Sequence, residues 1–260
     1  FTSRRRLTRF ALVSWARRCV IRDSGKTIDT TKFFVVSLNN IGGCHGSTGP
    51  TTIANESGQP YGADFPEVSV SDWVETQKLL ADHLGINCWE MVAGGSLGGM
   101  QALQWAISYP DRIKKAAIIA ASSKISTQNI ALNEVAREII KKDENFYNGD
   151  YLARGESPNK GLKAAMMLGH ITYLSESNMS KRFGRKLQDP ENKIDADINY
   201  EVENYLQYKG EQFAKTFDAN SYIPVSYTHL RAHETKANLV WRRLRVKKNG
   251  GGGGGGGGGG

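Results

Sequence analysis

Trp89-Glu90-Met91-Val92-Ala93-Gly94-Gly95-Ser96-Leu97-Gly98-Gly99-Met100-Gln101-Ala102-Leu103 is the stretch whose reading decides the fold. Trp89 to Ala93 is a short apolar run of the kind that forms a buried strand. Gly94-Gly95 predicts a tight turn. Leu97 to Tyr109 then reads as a helix, stopped by Pro110. Gly94 to Gly98 fits G-x-S-x-G with a strand before it and a helix after it, the context of a nucleophile elbow. A serine on so sharp a turn is lifted clear of the sheet. Glycines at Gly94 and Gly98 remove Cβ atoms that the turn would crowd. The N–H of Leu97, the residue after the serine, is placed to meet a developing oxyanion, and the helix N-terminus adds a positive field there. The bland alternative is a glycine-rich turn that merely packs a helix on a sheet.

Working outward, Phe33 to Leu38 reads as a buried strand, followed by a loop rich in Gly, Ser, Thr and Asn from Asn39 to Pro60. Ser71-Asp72 is a candidate cap for a helix with Trp73, Val74, Leu79, Leu80 and Leu84 on one apolar face, stopped by Gly85. Ile113 to Ala120 predicts another buried strand. The alternation of strand and helix is that of a parallel α/β sheet. From about Ser126 the pattern changes: Ile130–Lys141, Gly161–Leu174, Lys181–Gln188 and Tyr200–Lys215 all read as helices with no strand between them. Helices in a run after a parallel sheet predict an inserted helical lid.

The 260 residues carry a formal net charge of +8, but its distribution decides its meaning. Residues 1–27 hold eight Lys and Arg against one Asp, and residues 224–260 hold seven against one Glu. The body, 28–223, holds nineteen against twenty-four acidic residues and is mildly acidic. A nucleic-acid binder is therefore not indicated. No apolar run approaches the about 18 residues of a membrane span. The three cysteines, Cys19, Cys44 and Cys88, are widely spaced, so neither a disulfide framework nor a metal site is indicated, and a reducing, cytoplasmic setting is expected. The arginine-rich start lacks the form of a clean signal peptide, with an organellar transit peptide as the alternative, and the initial Phe suggests a fragment. Residues 224–260 have no coherent period and end in the run Gly250–Gly260. The string Val225 to Thr235 resembles a translated sequencing adapter, and the whole tail is expected to be non-native.

Several segments then converge on one family. They are Gly42-Gly43-Cys44-His45-Gly46-Ser47-Thr48-Gly49-Pro50, Tyr61-Gly62-Ala63-Asp64-Phe65-Pro66, Asp72-Trp73-Val74, Gly94 to Leu103, and Asn133-Glu134-Val135-Ala136-Arg137. Gly169-His170-Ile171-Thr172-Tyr173-Leu174-Ser175 and Phe217-Asp218-Ala219-Asn220-Ser221-Tyr222 complete the set. From about Lys26 to Ile223 the chain resembles the homoserine O-acyltransferases of α/β-hydrolase type, usually acetyltransferases.

The resemblance implies a partial α/β-hydrolase core at 26–125 and a partial lid at 126–223, with 1–25 outside it. It implies ping-pong transfer from acetyl-CoA to the hydroxyl of L-homoserine, in methionine synthesis, with no bound cofactor. Succinyl-CoA is the alternative donor. Ser96 matches the family's nucleophile, Leu97 one oxyanion donor, and Tyr173 a tyrosine near the amino-acid substrate. Met166 stands where the family usually has an arginine for the substrate carboxylate. Either another cation such as Lys163 serves, or acceptor binding is impaired, or the residue is misread. The family's second oxyanion donor has no counterpart in 1–25, and its catalytic Asp and His follow the lid, beyond the resemblance. The resemblance further implies a homodimer of the intact enzyme, without nucleic-acid or membrane partners.

Rival readings are a serine hydrolase of the same fold and a non-catalytic fragment. His170, His83 and His45 read as structural or loop residues more readily than as a base, Cys44 has no identifiable activating base, and Cys88 reads as a small buried residue. Gly25-Lys26-Thr27 matches the end of a phosphate loop, but Val20 stands where its first glycine is required. A half-sheet with an unmatched edge predicts poor solubility.

Overall fold

The computed structural model describes residues 10–13, 28–44, 46–187 and 200–231. Four parallel strands form one sheet in the order β2-β1-β3-β4: β1 is Phe10–Val13, β2 Phe34–Val36, β3 Met91–Gly95 and β4 Ala116–Ile119. Helices α1 (Val70–His83) and α2 (Leu97–Ser108) belong to this core. Val74, Ala81, Ile86, Trp89, Val92, Ala102 and Trp105 form its buried cluster, against which Val36 packs. Buried Gln77 accepts a hydrogen bond from Trp105 Nε1 at 2.7 Å and donates to Gln101 at 2.6 Å, so the polar groups between the two helices are paired rather than stranded.

The lid consists of α3 (Thr127–Lys141), α4 (Asn159–Tyr173), α5 (Glu176–Arg182), α6 (Glu201–Ala214) and α7 (Ala219–Arg231). It has its own core of Ala136, Ile140, Phe146, Tyr151, Leu162, Ala165 and Ala219. Close helix contact explains its interior glycines. A Cβ on Gly161 would lie 2.9 Å from the Ile140 backbone, and one on Gly210 would lie 2.7 Å from the Lys163 carbonyl.

The structure corrects several expectations. Ser69, not Ser71, caps α1: its Oγ accepts from Asp72 N, and the Asp72 carboxylate accepts from Ser69 N at 2.8 Å. This reciprocal box satisfies two otherwise orphaned donors, which fixes the start earlier. Gly94 and Gly95 are strand residues, paired with Ile118 and Ile119, so the turn falls at Ser96 itself. Phe10–Val13, grouped at first with the basic N-terminal segment, is a central strand between β2 and β3. β4 is far from buried, with Ile118 and Ile119 38% and 47% exposed, and among the described residues it pairs on one side only. The helix expected at Lys181–Gln188 is instead α5, ending at Arg182, and Leu187 forms a bridge with Tyr200. Cys88 is half-buried rather than buried. α7 runs through Pro224 to Arg231, past the end of the expected lid. His45, Cys19, Gly25-Lys26-Thr27, Gln188, His233 and the glycine run lie outside the described residues.

Candidate active site

Ser96 joins β3 to α2 with φ 54° and ψ −120°, a conformation strained for any residue with a Cβ. Its surroundings hold it there. Ser96 N donates to Ile119 O at 2.9 Å, and Ser96 O accepts from Met100 N at 3.1 Å. The two glycines that matter most for space are Gly94 and Gly99. A Cβ on Gly94 would fall 2.0 Å from Gly98 O, and one on Gly99 would fall 2.6 Å from Ala121 Cβ. The result is an exposed Ser96 at the carboxyl end of the sheet. Leu97 opens α2, so its N–H is among those that helix geometry leaves without an intrahelical acceptor. Its side chain packs against the buried trio Val70, Trp73 and Met100. Among the described residues no imidazole or carboxylate is hydrogen-bonded to Ser96 Oγ.

Behind the elbow, three of the sequence segments meet. Trp73 Nε1 donates to Ile41 O at 2.8 Å, securing the glycine-rich loop to α1. Within that loop a Cβ on Gly49 would lie 2.5 Å from Gly43 O. Cys44 Sγ accepts from Asp218 N at 3.3 Å. Asp218 accepts from Tyr151 Oη at 2.5 Å, while the same hydroxyl accepts from Asn220 N at 2.8 Å. Asn220 Nδ2 donates to Gly149 O at 2.8 Å, and a Cβ on Gly149 would reach Ala63 Cβ at 2.8 Å. Tyr151 thus knits the Gly42–Pro50, Tyr61–Pro66 and Phe217–Tyr222 segments into the junction of core and lid. Burial and the Asp218 carboxylate push its phenol well above the usual tyrosine range, so it stays a donor. Sequence reading missed Tyr151, which looks like an ordinary lid aromatic. The only signal was that its two partners sit in one distinctive segment.

On α4, Met166 and Tyr173 are brought together. A Cβ on Gly169 would lie 3.6 Å from Tyr173 Oη and 3.8 Å from Met166 Sδ. Tyr173 is 67% exposed. The Tyr222 phenol is pushed up to about 12 by burial first and by Tyr173 second, with Arg137 opposing. None of the described hydrogen bonds joins Ser96 to Tyr173 or Met166. Lys163, the alternative cation, is committed to Glu211 at 2.8 Å. His170 approaches Tyr205 Oη through Nδ1 at 3.2 Å, and its ring meets Tyr173 and Tyr205 edge to face. Burial, then Lys209, holds its imidazole below the ordinary value. That is a packed lid histidine, as expected. His83 closes α1. Arg137, nearly inaccessible in α3, pairs with Glu134 and donates to Ser226 Oγ at 3.2 Å. No helix among the described residues is long and apolar enough to cross a membrane.

Comparison with known proteins extends this picture. Homoserine O-succinyltransferase of Acinetobacter baylyi is 57% identical over 210 residues, which cover 80% of this chain and 54% of that one. Homoserine O-succinyltransferase of Marinobacter nauticus is 54% identical over 209 residues, 80% of this chain and 54% of its own. The chain therefore spans about half the length of these relatives. Among solved structures, homoserine O-acetyltransferase from Bacillus anthracis superposes with a TM-score of 0.75 at 23% identity, over 86% of this chain and 67% of that one, a likeness of fold. The strained serine between strand and helix, the parallel sheet and the lid all accord with a model of the alpha/beta hydrolase fold that matches residues 11–234, and the chain belongs to that family.

Proposed function

We propose that the parent activity of this chain is acyl transfer from an acyl-CoA to the hydroxyl of L-homoserine through an ester on Ser96, a step of methionine synthesis. The observation that carries the reading is the elbow at Ser96 within a chain 57% identical to a homoserine O-succinyltransferase. Those relatives favour succinyl-CoA over acetyl-CoA as donor. The names of these relatives support the alternative donor better than the first expectation, acetyl-CoA.

Ser96 Oγ attacks the thioester carbonyl, CoA leaves as its thiol, and the acyl group passes to homoserine, regenerating Ser96. Leu97 N–H faces the developing oxyanion at the helix N-terminus. Tyr173, with Met166 beside it, lines the acceptor side. Met166 brings no charge to the homoserine carboxylate, and Lys163 is held by Glu211, so acceptor affinity is reduced relative to an arginine at that position. CoA enters as substrate, with no resident cofactor. The reaction belongs in the cytoplasm, and the intact enzyme is a homodimer.

The test is incubation of the relative-length protein with succinyl-CoA or acetyl-CoA, followed by mass analysis of the Ser96 peptide. Preferential succinylation, discharged on adding homoserine, is the expected result. Normal turnover with an unmodified Ser96 sinks the mechanism. The second reading, a serine esterase, is favoured by the likeness to esterase E22, at 27% identity and a TM-score of 0.69 over 86% of this chain and 67% of that one. CoA release independent of homoserine would select it.

A further inference from the structure

Asn148-Gly149 is an Asn-Gly pair, the dipeptide most open to attack of a backbone nitrogen on the preceding side-chain amide. Glycine puts no Cβ in the path of that attack. Asn148 is exposed, and none of the described hydrogen bonds holds its amide. Its backbone is unusual. Tyr147, Asn148 and Gly149 follow one another with φ of 47°, 55° and 96°, a left-handed run that strains the two residues with a Cβ. The core–lid junction holds this run. Asn220 Nδ2 donates to Gly149 O at 2.8 Å, and Gly149 is wedged so that a Cβ would lie 2.8 Å from Ala63 Cβ and 3.0 Å from Asn220 Oδ1. Gly149 N donates to Phe146 O at 2.8 Å. With ψ of 26° at Asn148, Gly149 N lies beside the nitrogen of Asn148 rather than over its Cβ, where ring closure needs it. The folded junction therefore keeps a reactive pair from reacting.

We propose that Asn148 is a covalent modification site gated by the core–lid junction, converted by water to isoaspartate when the junction opens. Once the turn is released, Gly149 N attacks Asn148 Cγ. The Cγ–Nδ2 bond breaks, and ammonia leaves with the proton of the backbone amide. Water then adds to the main-chain carbonyl of the succinimide and breaks its bond to Gly149 N. The chain now runs through Cβ and Cγ, and the former main-chain carbonyl is a free carboxylate. One water enters, one ammonia leaves, and nothing is oxidised or reduced. The product adds a methylene to the backbone and a negative charge directly before the wedged Gly149. The junction with Ala63 and Asn220 cannot close on it again, so each conversion records one opening of the lid. The chemistry needs water alone and is independent of acyl transfer.

The experiment incubates the full 260-residue chain at mildly alkaline pH, with and without urea. The Asn148 peptide is followed by mass, and electron-transfer fragmentation separates isoaspartate from aspartate. Conversion in buffer should be at least about tenfold slower than in urea, and Asn220→Ala should speed it at least about threefold in buffer while leaving the urea rate unchanged, because only the opened fraction reacts. Tyr151→Phe is the second variant, should Asn220→Ala lose the hydrogen-exchange protection of α1 and α2. The converted chain should lose protection at the Asn220 amide and keep it on α1 and α2. Equal rates in buffer and urea, or variants that convert no faster than the parent, overturn the gating. No isoaspartate in urea overturns the site itself, and a converted chain with Asn220 N still protected overturns the one-way step.

Discussion

Replacing Gly94 by alanine tests the elbow directly. The new Cβ would sit 2.0 Å from Gly98 O, 2.2 Å from Gly98 C and 2.8 Å from Gly99 N. All three are backbone atoms, so no side chain can rotate away. An ordinary carbon–oxygen contact is near 3.4 Å, so β3 and the start of α2 must separate by more than an ångström. That separation loosens both the Ser96 N bond to Ile119 and the packing of α2 on the sheet. Overpacking of a rigid site costs about 1–3 kcal/mol, and the absence of relief places this case at about 3 kcal/mol. For a chain of this size that lowers the melting temperature by about 6–12 °C. The comparison variant is Gly58→Ala, whose Cβ meets nothing within 4 Å but whose φ of +65° still strains an alanine. It should lose about 1 kcal/mol. Thermal melts followed by circular dichroism, with hydrogen exchange on α2, distinguish the two. Gly94→Ala melting within a degree of the parent, or no lower than Gly58→Ala, would refute the claim that this glycine holds the elbow.

Tyr151→Phe should lower stability by about 1–3 kcal/mol, since it removes the donor to Asp218 Oδ1 and leaves the buried Asn220 N without its acceptor, while Asp218 Oδ2 keeps Ser221 N; Tyr208→Phe on the exposed lid surface should change it by less than about 0.5 kcal/mol, and denaturant midpoints check both. Ser69→Ala removes one arm of the α1 capping box and should lose about 1 kcal/mol, read the same way. For His170, burial and then Lys209 hold the folded-state pKa below the ordinary imidazole value of 6.5. The unfolded chain then takes up a proton before the native state does. Its contribution should be flat above about pH 6.5 and should turn destabilising as pH falls from there toward the folded value. His170→Gln should flatten that part of a stability-versus-pH curve, and an unchanged slope would show that the imidazole does not carry it.

The local signals were legible in the sequence because they rest on short-range chemistry. A strand, three glycines, a serine and an apolar helix specified the elbow, since Cβ crowding at a tight turn depends on neighbours a few residues apart. Helix stops at Gly85 and Pro110 followed for the same reason. Boundaries set by reciprocal bonding were displaced: Ser69 won the cap of α1 because Asp72 answers it. Gly94-Gly95 entered the strand because β4 pairs with them.

What depended on distant partners was not legible. Phe10–Val13 reads as an apolar fragment in a basic leader, yet between β2 and β3 it is a central strand. A strand's place is decided by who pairs with it, and its own four residues cannot record that. Tyr151 gains its role only when Asp218 and Asn220 arrive from 67 and 69 residues away. Lys163 was a plausible carboxylate partner until the packing of α4 on α6 tied it to Glu211. The sequence by itself determined the strand–serine–helix turn at Ser96 and the family pattern, because these follow from adjacent residues. Only the tertiary structure decided the strand order and the lid junction, because burial and hydrogen-bond pairing are properties of segments brought together.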